Sequence, residues 1–220
     1  MGNISEFKLG GICLVIGPAM ATALFIIFFL ILGTDLDPTA FSAVAGDIAT
    51  ANELEQLLLL LPAIGLIMAY YGMTVIQGTI GKGDNGEALF KLGMPMFAIN
   101  VVASVIAFGA MWQIQHWTGD ATFAAMAQGI SLYAGMIGAV GITLIALAIS
   151  ARDDFNTKGY NKIFAYVIAL VFLIVAILSI IGMVDNTEDT WNLVNGLFGI
   201  SYIIISIWSI TLGLNLLKRE

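Results

Sequence analysis

Residues 163–184 read IFAYVIALVFLIVAILSIIGMV, 22 residues without one Asp, Glu, Lys or Arg. About 20 apolar residues, rising about 1.5 Å each, cross the ~30 Å hydrocarbon core of a bilayer as a helix. A barrel strand would alternate apolar and polar positions, and this run does not. In lipid every backbone N–H and C=O must be paired within the protein, which leaves the helix as the spanning form.

Five more charge-free runs cover 9–34, 56–81, 92–119, 121–151 and 190–217. The chain has 220 residues, 60% hydrophobic and 10% charged, against about 25% charged in a typical soluble domain. So little charge cannot coat a water-facing surface, and lipid is the solvent that fits. The expected fold is therefore all-α: a polytopic integral membrane protein, a bundle of six transmembrane helices. The spans fall at about 10–33, 56–80, 92–116, 125–150, 162–184 and 191–217, with residues 1–220 forming one transmembrane helical domain.

The basic residues orient the bundle. Lys8 precedes span 1, Lys82 and Lys91 lie between spans 2 and 3, Arg152, Lys158 and Lys162 between spans 4 and 5, and Lys218 and Arg219 follow span 6. The connections 35–55, 118–124 and 185–189 contain no Lys or Arg. Short basic loops stay in the cytoplasm, so the expectation is a multi-pass protein of the cell membrane with both termini cytoplasmic. Nine of the fifteen acids fall on the opposite side: Asp35, Asp37, Asp47, Glu53, Glu55, Asp120, Asp185, Glu188 and Asp189. Trp112, Trp117, Trp191 and Tyr160 sit where interfacial aromatic belts belong.

A cleaved signal peptide is the rival reading of span 1, with Lys8 ahead of a short apolar stretch and Ala19-Met20-Ala21 as a small-residue run. The apolar run continues to Gly33, too long for a signal core. The opening Met-Gly lacks the Ser or Thr that myristoylation needs, because Glu6 occupies that place.

The longest connection, 35–55, carries helical signals of its own. Asp37 can cap a turn with Pro38 at its first position. Phe41, Val44 and Ile48 recur at helical spacing, which predicts a short interfacial helix. Thr50 and Glu53 read as a capping box for span 2. This loop is either a lid or docking surface or simply an ordered connection. In the turn 81–86, Asp84 and Glu87 are expected to cap span 3.

Small residues four apart mark close helix approach: Gly17 with Ala21, Gly65 with Ala69, Ala134 with Gly138, and Gly135 with Ala139. Laying Gly11, Gly17 and Ala21 over Gly129, Gly135 and Ala139 suggests a three-plus-three inverted repeat, with chance matching of common residues as the rival.

Several chemistries are excluded at membrane depth. No Asp, Glu, Lys or Arg lies inside a run, which argues against proton relays, ion coupling through carboxylates and a buried Schiff-base lysine. One histidine, His116, and one cysteine, Cys13, cannot build a haem, zinc or copper site or a disulfide. Ten methionines could suggest Cu(I), around Met94 and Met96, but scattered thioethers more often read as soft packing residues. No catalytic, cofactor or metal residues are assigned, no cofactor is expected, and no basic patch suggests nucleic acid. The deep polar groups are neutral: Tyr70, Tyr71, Thr74, Asn100, Ser104, Tyr133, Tyr202 and Ser206. They line a polar cavity or make interhelical hydrogen bonds. Pro18 and Pro62 each remove a helical hydrogen bond, freeing the carbonyls of Leu14 and Leu58.

Two functions fit. One is a non-catalytic accessory or structural subunit, whose partners are the bilayer and other membrane subunits or a second copy of itself. The other is a small transporter or channel for a neutral or weakly charged solute.

Overall fold

The computed structural model describes residues 4–32, 45–46, 48–50, 53–114, 121–155, 160–185 and 187–219. Six long helices carry nearly all of them: α1 (Glu6–Leu32), α2 (Glu53–Gly78), α3 (Glu87–Gln113), α4 (Ala121–Ser150), α5 (Tyr160–Asp185) and α6 (Glu188–Leu216). No strand occurs among the described residues. All six helices are long and apolar enough to cross a membrane. The shortest has 26 residues, about 39 Å at the helical rise.

Every helix starts before its expected span, while only α5 ends beyond it. α1 begins at Glu6 and α3 at Glu87, several residues before the apolar run, because intrahelical hydrogen bonds continue through the polar interface. The start of α3 departs from the expected capping. Its N-cap is Gly86, with φ of 84° and no side-chain cap. A methyl built on Gly86 would lie 2.5 Å from the carbonyl oxygen of Ala148. Both the left-handed backbone and this approach demand glycine there. Asp84 instead closes the preceding turn, its Oδ2 accepting from the Gly81 N–H at 2.8 Å. Glu87, the first helical residue, accepts from the Gly83 N–H and pairs with Lys91. At the start of α6, the Thr187 side chain takes the cap, accepting from the Thr190 N–H.

Each helix packs on its neighbour in sequence, and α6 closes back on α1. The bundle is thus a ring, with slender contact across it between α2 and α6 and where Phe198 of α6 meets Gly135 of α4. The connections α2–α3 and α4–α5 meet the last turn of α6 at one end, hereafter the basic end. The opposite, acidic end carries the starts of α2, α4 and α6.

Three crossings close on pairs of glycines near the basic end and mid-depth. A methyl on Gly17 of α1 would stand 2.6 Å from the Gly65 oxygen of α2, and one on Gly65 2.5 Å from the Gly17 oxygen. Gly93 of α3 and Gly141 of α4 approach equally, at 2.7 and 2.8 Å. Gly11 of α1 and Gly213 of α6 do the same at 2.9 and 2.6 Å. Without a hydrophobic drive between helices in lipid, such backbone approach supplies the dispersion and weak Cα–H···O contacts that hold a bundle.

One core fills the ring toward the basic end, from Leu14 and Ile76 through Phe90, Ile149 and Phe155 to Trp208 and Leu216. Those seven are at most 1% exposed, so the interior there is packed solid. A smaller cluster closes the acidic end. Ala45 and Ile48, from the long connection, bury against Leu58, Ile114 and Ala124, with Leu24 and Phe123 alongside. Ile48 thus packs downward onto the helix ends. The rest of the expected interfacial helix, including Asp37, Pro38, Phe41 and Val44, lies outside the described residues. So does His116. Thr50 donates to the Gly46 carbonyl at 3.2 Å, while the Glu53 side chain of the expected capping box is also outside them.

Candidate functional site

The most elaborate polar structure is at the basic end. Arg152, just past α4, is only 9% exposed. It grips Asp154 with two bonds, Nε to Oδ1 at 3.0 Å and Nη2 to Oδ2 at 2.8 Å. It also donates to the Thr79 carbonyl at 3.3 Å and stands 3.5 Å from Asp84. Arg219, past the end of α6, donates to the same Asp154 Oδ2 at 2.8 Å and to the Asp154 carbonyl at 3.3 Å. The Phe155 ring is buried between the two guanidinium groups, 5.6 Å from Arg152 Cζ and 4.1 Å from Arg219 Cζ. Its carbonyl accepts from Asn161 Nδ2 of α5 at 3.0 Å and from Asn215 Nδ2 of α6 at 3.3 Å.

This clasp ties four elements together: the α2–α3 turn, the α4–α5 loop, and the ends of α5 and α6. Partial burial pushes the Asp154 carboxyl up, but the hydrogen bonds and charges of Arg152 and Arg219 outweigh it and hold the group below its ordinary range. With two cations on its one carboxylate, the arrangement fixes the register of the basic ends. Asn161 Oδ1 is the one sealed polar side-chain atom without a hydrogen bond among the described residues.

The eight deep polar residues do not converge on one place. Tyr133 is 60% exposed on the outer flank of α4. Ser206 of α6 donates to the Pro18 carbonyl of α1 at 3.0 Å and lies 2.7 Å from the Thr22 hydroxyl. Thr22 in turn reaches the Tyr202 carbonyl at 3.3 Å. That staple fills the neighbourhood of the Pro18 break with interhelical bonds. Thr74 turns back on its own helix to the Tyr71 carbonyl at 2.6 Å, the usual way a hydroxyl is satisfied in lipid. The Tyr70 ring packs 6.1 Å from Phe97, joining α2 to α3, and Tyr71 lies against the main core. Ser104 is half-buried on α3. Asn100 is 7% exposed, with its side chain laid over Gly138. Tyr202 sits between Phe25 at 6.1 Å and Phe198 at 6.4 Å.

The packing residues sort more simply. Gly17, Ala21, Gly65 and Ala69 share the α1/α2 crossing, since a methyl on Gly17 would reach the Ala69 nitrogen and one on Gly65 the Ala21 nitrogen, each at 3.0 Å. Gly138 receives Asn100 of α3, and Gly135 receives the Phe198 ring of α6. Ala134 and Ala139 are buried. The positions matched in the suggested repeat live in unlike surroundings. Gly11 meets Gly213, whereas Gly129 has nothing within 4 Å among the described residues; Gly17 meets a backbone, whereas Gly135 meets an aromatic ring.

Sequence reasoning did not single out Gly93, Gly141 and Gly213, because no Gly or Ala stands four residues from any of them. It used Arg152 only as one of the basic residues between spans 4 and 5 that orient the bundle. Asp154 two residues on was the available signal. No protein-family model, curated protein or solved structure matches this chain.

Proposed function

We propose that this chain is a non-catalytic membrane subunit that packs its flanks against partner helices, with both termini on the cytoplasmic side. The orientation rests on the distribution of all eight basic residues among the termini and alternate loops, read through the positive-inside rule.

One observation carries the packing reading. Gly109 of α3, Gly129 of α4, and Gly196 and Gly199 of α6 all lie toward the acidic end, and a methyl on any of them would meet nothing within 4 Å among the described residues. An unpacked helical glycine costs about 0.5–1 kcal/mol relative to alanine, and small residues on a membrane helix flank are what let a second helix approach closely. Their neighbours outside the bundle are large and apolar: Val105 and Ile106 beside Gly109, Ile200 and Ile203 beside Gly199, all exposed. Bulky ridges flanking small notches suit a helix from another subunit or a second copy.

Purification of the tagged chain in a mild detergent tests the reading. A co-purifying partner or a stable oligomer is expected. A lone, stable protomer under every mild condition overturns it.

A further inference from the structure

Two Asn-Gly pairs occur in the chain, Asn85-Gly86 and Asn195-Gly196. In this dipeptide no side chain shields the glycine nitrogen, so it can attack the asparagine carboxamide and close a five-membered ring. The reaction needs water, a glycine N–H free of hydrogen bonds, and a backbone able to bring that nitrogen onto Cγ. The fold treats the two pairs oppositely.

Asn195-Gly196 lies inside α6, where the helical pattern ties the Gly196 N–H to the carbonyl four residues back. Closing a ring there would break that bond and distort a continuous helix. Asn85-Gly86 instead lies in the α2–α3 turn at the basic end, and Asn85 is exposed. Several N–H groups around it are engaged: Gly81 with the Asp84 carboxylate, Gly83 with Glu87, and Glu87 with the Asp84 carbonyl. The Gly86 N–H makes no hydrogen bond among the described residues, and neither does the Asn85 carboxamide. Nucleophile and electrophile are both unencumbered, and solvent reaches the side chain.

The joint also carries load. Gly86 caps α3 with φ of 84° and lies against α4, where a methyl would sit 2.5 Å from the Ala148 carbonyl oxygen. Two residues earlier, Asp84 stands 3.5 Å from Arg152 of the clasp.

We propose that Asn85 is a site of spontaneous deamidation whose isoaspartyl product loosens the α2–α3 turn from the clasp. The Gly86 nitrogen gives its proton to hydroxide and bonds to Asn85 Cγ. The Cγ–Nδ2 bond then breaks, and the leaving nitrogen takes a proton from water and departs as ammonia. Water opens the resulting succinimide at either carbonyl, giving aspartate or isoaspartate, each with one new carboxylate. Isoaspartate routes the main chain through Cβ and Cγ, adding one methylene just before Gly86. With Gly86 fixed against Ala148, the added length displaces Asp84 from Arg152. The inference does not rest on the packing reading and applies equally to a lone protomer.

Ageing the intact protein in lipid nanodiscs at pH 8 and at pH 6, followed by peptide mapping with mass spectrometry, tests it. The peptide bearing Asn85 should gain the mass of an NH2-to-OH exchange, faster at pH 8 and mainly as isoaspartate. The peptide bearing Asn195 should convert more slowly by about tenfold or more, since its N–H must first leave a helical hydrogen bond. In denaturant the two should convert at comparable rates. Asn85→Gln, whose ring would need six members, should stay unmodified, and the aged parent should unfold at a lower temperature than this variant aged alongside it. No conversion of Asn85 in the folded protein, equal folded rates at Asn85 and Asn195, or a difference that persists in denaturant each overturns the assignment of the site to the fold. Equal unfolding temperatures of the two aged proteins overturn the loosening of the clasp.

Discussion

Glycine does opposite things at the two ends of this bundle. Toward the basic end, Gly11, Gly93, Gly141 and Gly213 stand so close to a neighbouring backbone that one methyl would force the helices apart. Toward the acidic end, Gly109, Gly129, Gly196 and Gly199 face outward with nothing against them among the described residues. The basic end also carries the Arg152–Asp154–Arg219 clasp and the solid core, whereas the acidic end is closed by one small apolar cluster. One half is complete in itself. The other leaves small-residue notches unfilled, and this contrast favours a partner on the acidic half.

The largest break in the comparison should come from the closed glycines. Gly93→Leu or Gly141→Leu places a branched side chain against a backbone that cannot move without separating α3 from α4. Overpacking costs about 1–3 kcal/mol in ordinary cores, and the rigid neighbour here puts these variants at or above 3 kcal/mol. Thermal unfolding in detergent should show a large fall in the midpoint or no folded protein at all. A midpoint within a degree of the parent would remove the claim that these crossings hold the bundle.

The clasp comes next. Asp154→Ala leaves two guanidinium groups short of their shared acceptor, one of them buried, for a loss of about 1–3 kcal/mol. Asp84 at 3.5 Å from Arg152 offsets part of that. Because the folded carboxyl titrates below its ordinary value, its contribution is present above the unfolded pKa of about 3.9 and is lost as pH falls through the folded value. Unfolding followed from pH 7 downward should therefore stay level to about pH 4 on this account and then decline. Subtracting the Asp154→Asn profile should remove that part of the decline. Identical acid profiles would mean that the clasp adds no stability.

The smallest effect sharpens the contrast by reversing its sign. Gly109→Ala, Gly129→Ala, Gly196→Ala and Gly199→Ala should each leave the lone protomer as stable as before or raise it by up to about 1 kcal/mol. Chemical denaturation of the monomeric protein measures this. A loss from any of the four would mean that the glycine is already packed inside the protomer.

The six helices were legible because length and the absence of charge are properties of one stretch at a time. Residues 163–184 become the middle of α5 for that reason. The α1/α2 crossing was legible too, since Gly17 with Ala21 and Gly65 with Ala69 repeat within their own helices. Gly11 with Gly213 was not, because 202 positions separate the two and Gly11 has only Phe7 and Val15 four residues away. Asn100 and Tyr133 looked alike in sequence, both polar residues deep in a run. Their difference, one over Gly138 and the other 60% exposed, depends on helix rotation, which a nearly uniform apolar composition does not encode. Arg152 served only as one of the orienting basic residues, and its burial follows from the α2–α3 turn lying against the end of α4.

The most direct measurement is native mass spectrometry of the protein released from its own membrane, comparing the parent with the Gly196→Leu/Gly199→Leu double variant. The account predicts a parent that travels as a complex and a variant that appears as a lone protomer with unchanged unfolding temperature. A parent that is already a lone protomer, or a variant that keeps the same complex, would contradict it.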